Sequence, residues 1–238
     1  MLILLLFFCS GATGLVYEVI WSKYLALLFG STVQAQTVVL AMFMGGLALG
    51  YRIFGRRADR TRRPLALYGY LEGGIGLYAF FFPDLYRLAD RVFASLGAPL
   101  LSSPGLLLVL KGLLSAVLLL GPTILMGGTL PLLAAWLQNQ SADPGRSSAR
   151  FYSVNSLGAV CGAGLAGFWL VTWLGMTATL QLTGLANILI ACVALCIARF
   201  GRSATAASPA PESGSELPAL PTPAQSARLL LSGCVVGP

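Results

Sequence analysis

The sequence contains no histidine, and only 10% of its 238 residues are charged. Soluble domains are about a quarter charged, so this deficit argues against an ordinary soluble domain. The absence of histidine excludes histidine-based acid–base chemistry, Ser-His and Cys-His catalysis, and metal sites that use histidine ligands. Apolar residues are abundant instead, at 57% of the chain. This composition is typical of an integral membrane protein, so we expect the lipid bilayer as a partner.

The five cysteines and the net charge of +7 do not indicate a site. Cysteine spacings typical of zinc sites are absent. Four of the cysteines lie in apolar runs, where we interpret them as small packing residues. The positive charge lies in loops beside apolar runs, a pattern that favours a topology signal over nucleic-acid binding. We predict no metal, no cofactor and no nucleic-acid partner.

The segment Gly55–Pro64 holds five of the 15 basic residues and lies between two long apolar runs. Arginine-rich loops resist transfer across a membrane, so we expect this loop in the cytoplasm. The loop then orients every other segment. It predicts a multi-pass inner-membrane protein with the N- and C-termini in the cytoplasm.

Apolar runs of spanning length predict an all-α fold with six transmembrane helices. The predicted spans are 1–29, 33–54, 65–82, 104–137, 151–173 and 176–198. Pro83 is expected to end the third span. In the segment Asp84–Leu96, apolar residues at helical spacing lie opposite charged ones, which predicts a short amphipathic helix on the outer surface. Leu174-Gly175 is predicted as a tight turn.

The fourth run is too long for one straight span, because it would extend for about 50 Å across a bilayer core of about 30 Å. We interpret it as one broken helix, with the break at Pro122, Gly127, Gly128 and Pro131. Broken helices form substrate sites in transporters; the alternative is a kink needed only for packing. Two short spans would each have about 15 residues, which is short for spanning.

Beyond the spans, composition divides the chain into three parts. Residues 1–200 form the predicted membrane domain, 201–227 a flexible linker rich in Pro, Ala and Ser, and 228–238 the start of a further apolar segment. Such a membrane module has exposed spans. We therefore expect a second membrane half or a second copy of the chain as partner.

Two carboxylates lie within predicted spans, and such residues are functional-site hypotheses by default. Glu18 has Tyr17 and Trp21 beside it at helical spacing, and Glu72 has Tyr68. Carboxylates with aromatic neighbours suit a polyamine or another small cation, by charge pairing and cation–π contact. The alternatives are structural: Glu18 pairs with Lys23, and Glu72 is protonated or bonds across helices.

Asn155, near the inner end of the fifth span, completes the candidate substrate-binding set. Asn187 lies near the middle of the sixth span. Intramembrane asparagines more often hydrogen-bond one helix to another than bind a ligand. The glycine-rich stretches lie in apolar helices rather than after a strand, so a dinucleotide-binding site is excluded.

Several motifs together resemble the membrane half of bacterial fused major-facilitator/spermidine synthase proteins, over about residues 4–199. They are Phe8-Cys9-Ser10-Gly11, Leu15-Val16-Tyr17-Glu18-Val19-Ile20-Trp21, Phe29-Gly30-Ser31-Thr32, Phe43-Met44-Gly45-Gly46-Leu47-Ala48-Leu49-Gly50, Pro64-Leu65-Ala66-Leu67-Tyr68 with Leu71-Glu72, Pro122-Thr123-Ile124-Leu125-Met126-Gly127-Gly128-Thr129-Leu130-Pro131, and Tyr152, Asn155, Ser156 and Gly158. The arginine segment also resembles the major-facilitator loop between the second and third spans, at Gly55, Asp59, Arg60 and Arg63. It departs from that motif at Arg62, where glycine is usual.

The resemblance implies a six-helix, major-facilitator-like half joined to a cytosolic aminopropyltransferase that makes spermidine from putrescine and decarboxylated S-adenosylmethionine. The chain has no glycine-rich nucleotide loop and no soluble catalytic aspartate, so we assign it no catalytic residue. We expect a transporter-like module that binds or moves polyamines or other small cations. The alternatives are a membrane anchor for the synthase without transport, or a fragment of an active membrane-tethered aminopropyltransferase.

Overall fold

The computed structural model describes residues 2–100, 102–138 and 144–206, and within these ranges every regular element is helical. The helices are α1 (Leu2–Phe29), α2 (Val33–Ala58), α3 (Pro64–Gly97), α4 (Pro104–Gln138), α5 (Pro144–Leu165) and α6 (Val171–Ala206). A 3₁₀ turn at Ala98–Leu100 follows α3, and a π-helical turn at Ala166–Leu170 joins α5 to α6. The prediction of an all-α fold is confirmed for these residues.

Five helical stretches in the described ranges are long and apolar enough to cross a membrane. They are Leu2–Phe29, Gln36–Ala58, Pro64–Leu100, Pro104–Gln138 and Ala149–Phe200. Large apolar side chains also point away from the protein, including Trp173 at 81% exposure and Phe168 at 79%. Exposed apolar surface on this scale is what a lipid-facing protein requires. The chain is therefore compatible with a multi-pass membrane protein.

The last of these stretches contains a local break at Gly175. This residue has φ 76° and ψ 170°, which is outside the helical region and which glycine adopts without a side-chain clash. The buried Thr179 hydroxyl lies 3.0 Å from the carbonyl oxygen of Leu170 and 2.7 Å from that of Gly175. The break lies where the sequence predicted the tight turn. Helix α6 also continues to Ala206, past the predicted start of the linker, and the rest of the linker and the terminal apolar segment lie outside the described residues.

Helices α1 and α5 run in the same direction and pack at backbone distance. A Cβ atom added at Gly158 would meet the carbonyl oxygen of Phe8, and one added at Gly162 would meet that of Ala12. Residues later in α5 therefore contact residues later in α1, as parallel helices require. The GxxxG pair in α5 serves the close backbone packing that the sequence predicted.

Helix α3 runs parallel to α1 but antiparallel to the part of α6 after the break. Gly69 lies against Leu195, whereas Gly76, further along α3, lies against Gly184. Since α5 is parallel to α1, the chain reverses direction between α5 and this part of α6. The reversal places the break at Gly175 between two oppositely directed helical segments.

Helices α2 and α4 form a second parallel pair that depends on glycine. Gly112 lies against Val38 near the start of both helices, and Gly55 lies against Pro131 near the end of both. A Cβ at Gly50 would meet the carbonyl oxygen of Ile124, and one at Gly127 would meet that of Leu47. At Gly46 the obstacle would be the Thr123 side chain. The two backbones are therefore too close for any larger residue, as the GxxxG pair in the second span predicted.

Two predictions, one about a helix end and one about a helix break, are wrong. Helix α3 continues through Pro83 to Gly97, so the predicted amphipathic helix is not a separate element. Within this continuation the exposed side chains of Asp84 and Arg87 form an ion pair at 2.9 Å. Helix α4 is likewise continuous from Pro104 to Gln138, with Pro122 and Pro131 inside it, so the predicted break is absent.

A tertiary hydrogen bond explains how α4 continues past its first proline. Pro122 has no N–H group, so the carbonyl of Leu118 loses its partner within the helix. The Tyr78 hydroxyl of α3 donates a hydrogen bond to this carbonyl at 2.8 Å. The Thr123 hydroxyl donates to the carbonyl of Leu119 at 2.6 Å. The hydrogen bond lost at Pro122 is thus replaced by a side chain 40 positions away from the Leu118 carbonyl in sequence.

We predict that Gly50→Ala destabilises the fold, because its methyl group would meet the backbone of α4. The expected loss is about 1–3 kcal/mol, the usual cost of overpacking. The matched control is Gly45→Ala in the same helix, where an added Cβ meets nothing within 4 Å. Unfolding in mixed detergent micelles measures both. Equal stability of the two variants would contradict the close α2–α4 packing.

We predict that Tyr78→Phe lowers stability by about 1–2 kcal/mol, because it leaves the Leu118 carbonyl without its donor. In a Pro122→Ala background, the N–H of residue 122 supplies that carbonyl and the same change costs less. Tyr70→Phe is the control, since Tyr70 is exposed. A double-mutant cycle from unfolding curves checks the coupling, and additive losses would count against it.

Candidate functional site

The described residues line an open cavity of about 510 Å³ whose wall includes residues of all six helices. This volume lies within the range of small-molecule sites, about 300–1,000 Å³. The apolar part of the wall includes Phe7, Phe43, Leu47 and Met126. The polar part is formed by Ser10, Thr13, Tyr17, Glu18, Tyr51, Glu72, Thr129, Tyr152, Asn155 and Asn187.

Glu72 lies at the centre of a hydrogen-bond network that joins three helices. Its carboxylate is 1% exposed. One oxygen accepts a hydrogen bond from the Ser10 hydroxyl of α1 at 2.6 Å, and the other from the Asn187 amide of α6 at 2.7 Å. The predicted structural role of Glu72, a hydrogen bond across helices, is therefore present, and the same group also reaches the cavity.

Two polar atoms in the cavity wall have no hydrogen-bond partner among the described residues. They are the hydroxyl oxygen of Tyr17 and the side-chain carbonyl oxygen of Asn187. Both side chains are at least 98% buried, with exposures of 0% and 2%. Buried polar groups are nearly always hydrogen-bonded. Unpaired groups of this kind beside a cavity indicate a place where a ligand or water binds.

Glu18 is half-buried and differs from Glu72 in its surroundings. Within the described ranges its carboxylate has no ion pair and no hydrogen bond. The alternative that Glu18 pairs with Lys23 is wrong. Residues five apart on a helix point about 140° away from each other, and the Lys23 side chain is exposed. Glu18 therefore presents a carboxylate to the cavity without a counter-charge.

Four of the six predicted substrate-binding residues line the cavity: Tyr17, Glu18, Glu72 and Asn155. Asn155 also packs against Gly11, where an added Cβ would meet its carbonyl group. The predicted set thus includes both carboxylates of the wall, but only four of its ten polar and charged residues.

Trp21 and Tyr68 belong to the packed interior instead of the cavity wall. Trp21 is 1% exposed and stacks on Tyr17, with ring centroids 5.1 Å apart, and on Phe82, at 5.6 Å. Tyr68 is fully buried beside Glu72. Their rings hold α1 and α3 together, and they do not line the cavity as the prediction required.

Of the four residues predicted to form the helix break, only Gly127 lines the cavity. Gly128 packs against Phe54 and Leu71, where an added Cβ would meet both side chains. Pro122 and Pro131 lie within the continuous α4. This segment therefore shapes the wall through close helix packing.

The arginine segment lies outside the cavity, at the junction of α2 and α3. Gly55 is near the end of α2, and its carbonyl accepts the N–H of Asp59. Arg60 is exposed. Arg63 precedes α3 without a side-chain cap, and Pro64 occupies the first turn. Four of these residues matched the family motif, and the structure places them away from the candidate site.

Several cavity residues were not predicted as part of the site. Ser10 was quoted only within a motif, and Asn187 was interpreted as a bond between helices. Ser10 lies seven positions before Tyr17, which places both on one helix face, so the spacing could have identified it. Tyr51 and Tyr152 line the cavity although each is 60% exposed, and no sequence signal distinguishes them from other aromatic residues.

These features define a helical, membrane-compatible protein with two carboxylates in one internal cavity. No protein-family model and no solved structure matches the chain. The chain is similar to Polyamine aminopropyltransferase 2 of Streptomyces coelicolor, with 29% identity over 204 residues. The matched region is 83% of this chain but 34% of that protein, so the chain spans about a third of the length of this relative. The similarity fits a distant relationship to spermidine synthase-like proteins.

We predict that Asn187→Leu lowers stability by about 1–3 kcal/mol, because the Glu72 carboxylate loses one of its two donors. In a Glu72→Met background the same substitution should cost clearly less. Unfolding of the four proteins in mixed detergent micelles gives the coupling energy. If the loss is the same in both backgrounds, the hydrogen bond does not contribute to stability.

Proposed function

We propose that this chain is the membrane module of a polyamine aminopropyltransferase-like protein, and that its cavity binds a polyamine or a related organic cation. The relative's name supplies the polyamine connection. The observation that carries the proposal is the unpaired Glu18 carboxylate beside a cavity of about 510 Å³. The chain itself is assigned no transferase chemistry.

The charges of the cavity wall favour a cationic ligand. Among the residues that the structure describes, the wall includes two carboxylates, Glu18 and Glu72, and no lysine or arginine. Charges interact more strongly inside a protein than in water, so an unpaired carboxylate here favours a bound cation. The free acceptor oxygen of Asn187 and the hydroxyl of Tyr17 offer further partners for ammonium groups.

We further propose six membrane spans in a major-facilitator-like half, with the arginine segment and both termini in the cytoplasm of the inner membrane. The break at Gly175 divides the long Ala149–Phe200 stretch into two segments. The opposite directions of these segments support a sixth span. The arginine-rich connection between α2 and α3 supports the orientation.

The second candidate function is a membrane anchor that binds no cation. It is favoured by the length comparison, because the relative is about three times as long as the matched region. In both cases we propose a second membrane half or a second copy as partner. The exposed Tyr51 and Tyr152 at the cavity edge would then be covered.

The binding proposal predicts that Glu18→Gln weakens spermidine binding about ten- to a hundredfold, which corresponds to the loss of one charge-assisted contact of about 1.5–3 kcal/mol. Binding is measured by calorimetry on the purified chain in lipid nanodiscs. Asp84→Asn is the control, because Asp84 is an exposed carboxylate outside the cavity.

The two candidate functions give different results in this experiment. Spermidine binding that depends on Glu18 but not on Asp84 supports the cavity as a cation site. If the unmodified chain binds no spermidine, the cavity proposal fails and the anchor remains. If both variants bind spermidine as the unmodified chain does, the proposed site at Glu18 fails.

A further inference from the structure

A second cavity, of about 380 Å³, lies between α1 and α2. It extends from the turn that joins these helices inward to Glu18. Its wall is formed by Glu18, Ser22, Ser31, Val33, Gln36, Thr37, Val39, Leu40 and Phe43. We refer to it as the vestibule, and to the larger cavity as the central cavity.

The vestibule and the central cavity share two wall residues, Glu18 and Phe43. Phe43 is 5% exposed and is packed within the core. The partition between the two spaces therefore includes one aromatic ring and one carboxylate, and the carboxylate faces both spaces. As described above, this carboxylate has no partner among the described residues.

Helix geometry gives the depth of the vestibule. Glu18 lies 11 positions before Phe29, the last residue of α1. This separation corresponds to about 16 Å along the helix. Ser31 lies in the turn beyond that end and Val33 is the first residue of α2, so the vestibule reaches from the end of the bundle to mid-helix. Its outer end, at the turn between α1 and α2, is at the opposite end of α2 from the arginine segment.

The vestibule wall is suited to a cation. Its polar groups are neutral, on Ser22, Ser31, Gln36 and Thr37, and their oxygens can accept hydrogen bonds from an ammonium group. Glu18 is the charged group in this wall, at the inner end. The nearby Lys111 does not line the vestibule, because its ammonium group donates to the Phe29 carbonyl at 2.8 Å.

We propose that the vestibule is the entry path for a linear polyamine, with Phe43 as the barrier and Glu18 as the residue that receives the leading ammonium group. The proposal rests on the proposed function and adds a route and a side of entry. An ammonium group would pass from neutral oxygens to the carboxylate, while methylene groups pass the Phe43 ring. An aromatic face also attracts the following ammonium group.

Cysteine labelling tests the path. The five native cysteines are replaced by alanine, and single cysteines are introduced as Ser22→Cys in the vestibule and Thr61→Cys in the arginine segment. Vesicles of known orientation are treated with a membrane-impermeant, cationic thiol reagent. We expect Ser22→Cys to react from the side opposite to Thr61→Cys. Reaction from the same side, or no reaction, would overturn the path.

Protection by spermidine tests the occupant. Spermidine should slow the labelling of Ser22→Cys several-fold, sodium chloride of equal ionic strength should not, and Glu18→Gln should remove the protection. The matched control is Ser102→Cys, an exposed position in the α3–α4 connection at the same end of the bundle, where no protection is expected. Protection by salt alone, or protection that survives Glu18→Gln, would contradict a polyamine held at Glu18.

Phe43→Ala tests the barrier through a buried cysteine in the wall of the central cavity, Thr13→Cys. The substitution should speed labelling of this cysteine from the vestibule side several-fold, with Phe43→Leu as a milder variant if the first does not fold. An unchanged rate in a folded variant would contradict the barrier. The calorimetric experiment separates the two proposals. If spermidine binds but Ser22→Cys does not react, the entry path is wrong and the proposed function stands. If Ser22→Cys reacts but spermidine does not bind, the proposed function is wrong.

Discussion

The buried carboxylate of Glu72 is the constraint on which the arrangement of helices depends. A carboxylate removed from water must be satisfied by the protein, and inside an apolar bundle it has no other source of donors. Ser10 of α1 and Asn187 of α6 supply them. These two bonds fix the relative position of three helices from the beginning, middle and end of the chain. They also place the Tyr17 face of α1 against the central cavity.

The two intramembrane carboxylates are chemically alike, yet their surroundings give them different roles. Glu72 is buried and has a donor on each oxygen, so both of its oxygens are satisfied by neutral groups of the protein. Glu18 is half-buried between two cavities and has no such partner in the described ranges. The first therefore serves chiefly to hold the helices, and the second is available to a ligand. A division of this kind allows binding at one carboxylate without loosening the other.

Sequence reasoning succeeded where the physical signal was local and failed where it depended on tertiary contacts. The long apolar runs predicted the helices, and Leu174-Gly175 predicted the break within α6. The helix end expected at Pro83 and the break expected at Pro122 were wrong. At Pro122 the reason is tertiary, because Tyr78 replaces the hydrogen bond that this proline removes. Trp21 was predicted in the site because it lies near Glu18 on one helix, but it stacks on Phe82 of another helix and is part of the core. The two donors of Glu72 are 62 and 115 positions away in sequence, which no spacing rule detects.

The glycine contacts have a mechanical consequence. Helices α1 and α5 form one pair at backbone distance, and α2 and α4 form another, whereas contacts between the two pairs are sparse. The central cavity lies where these pairs face each other. Helix α3 connects the two pairs, because it packs on α4 and its Glu72 accepts a hydrogen bond from Ser10 of α1. A tilt of one pair against the other would therefore have to carry α3 with one pair and shear its contacts with the other, although every glycine contact within each pair could stay intact.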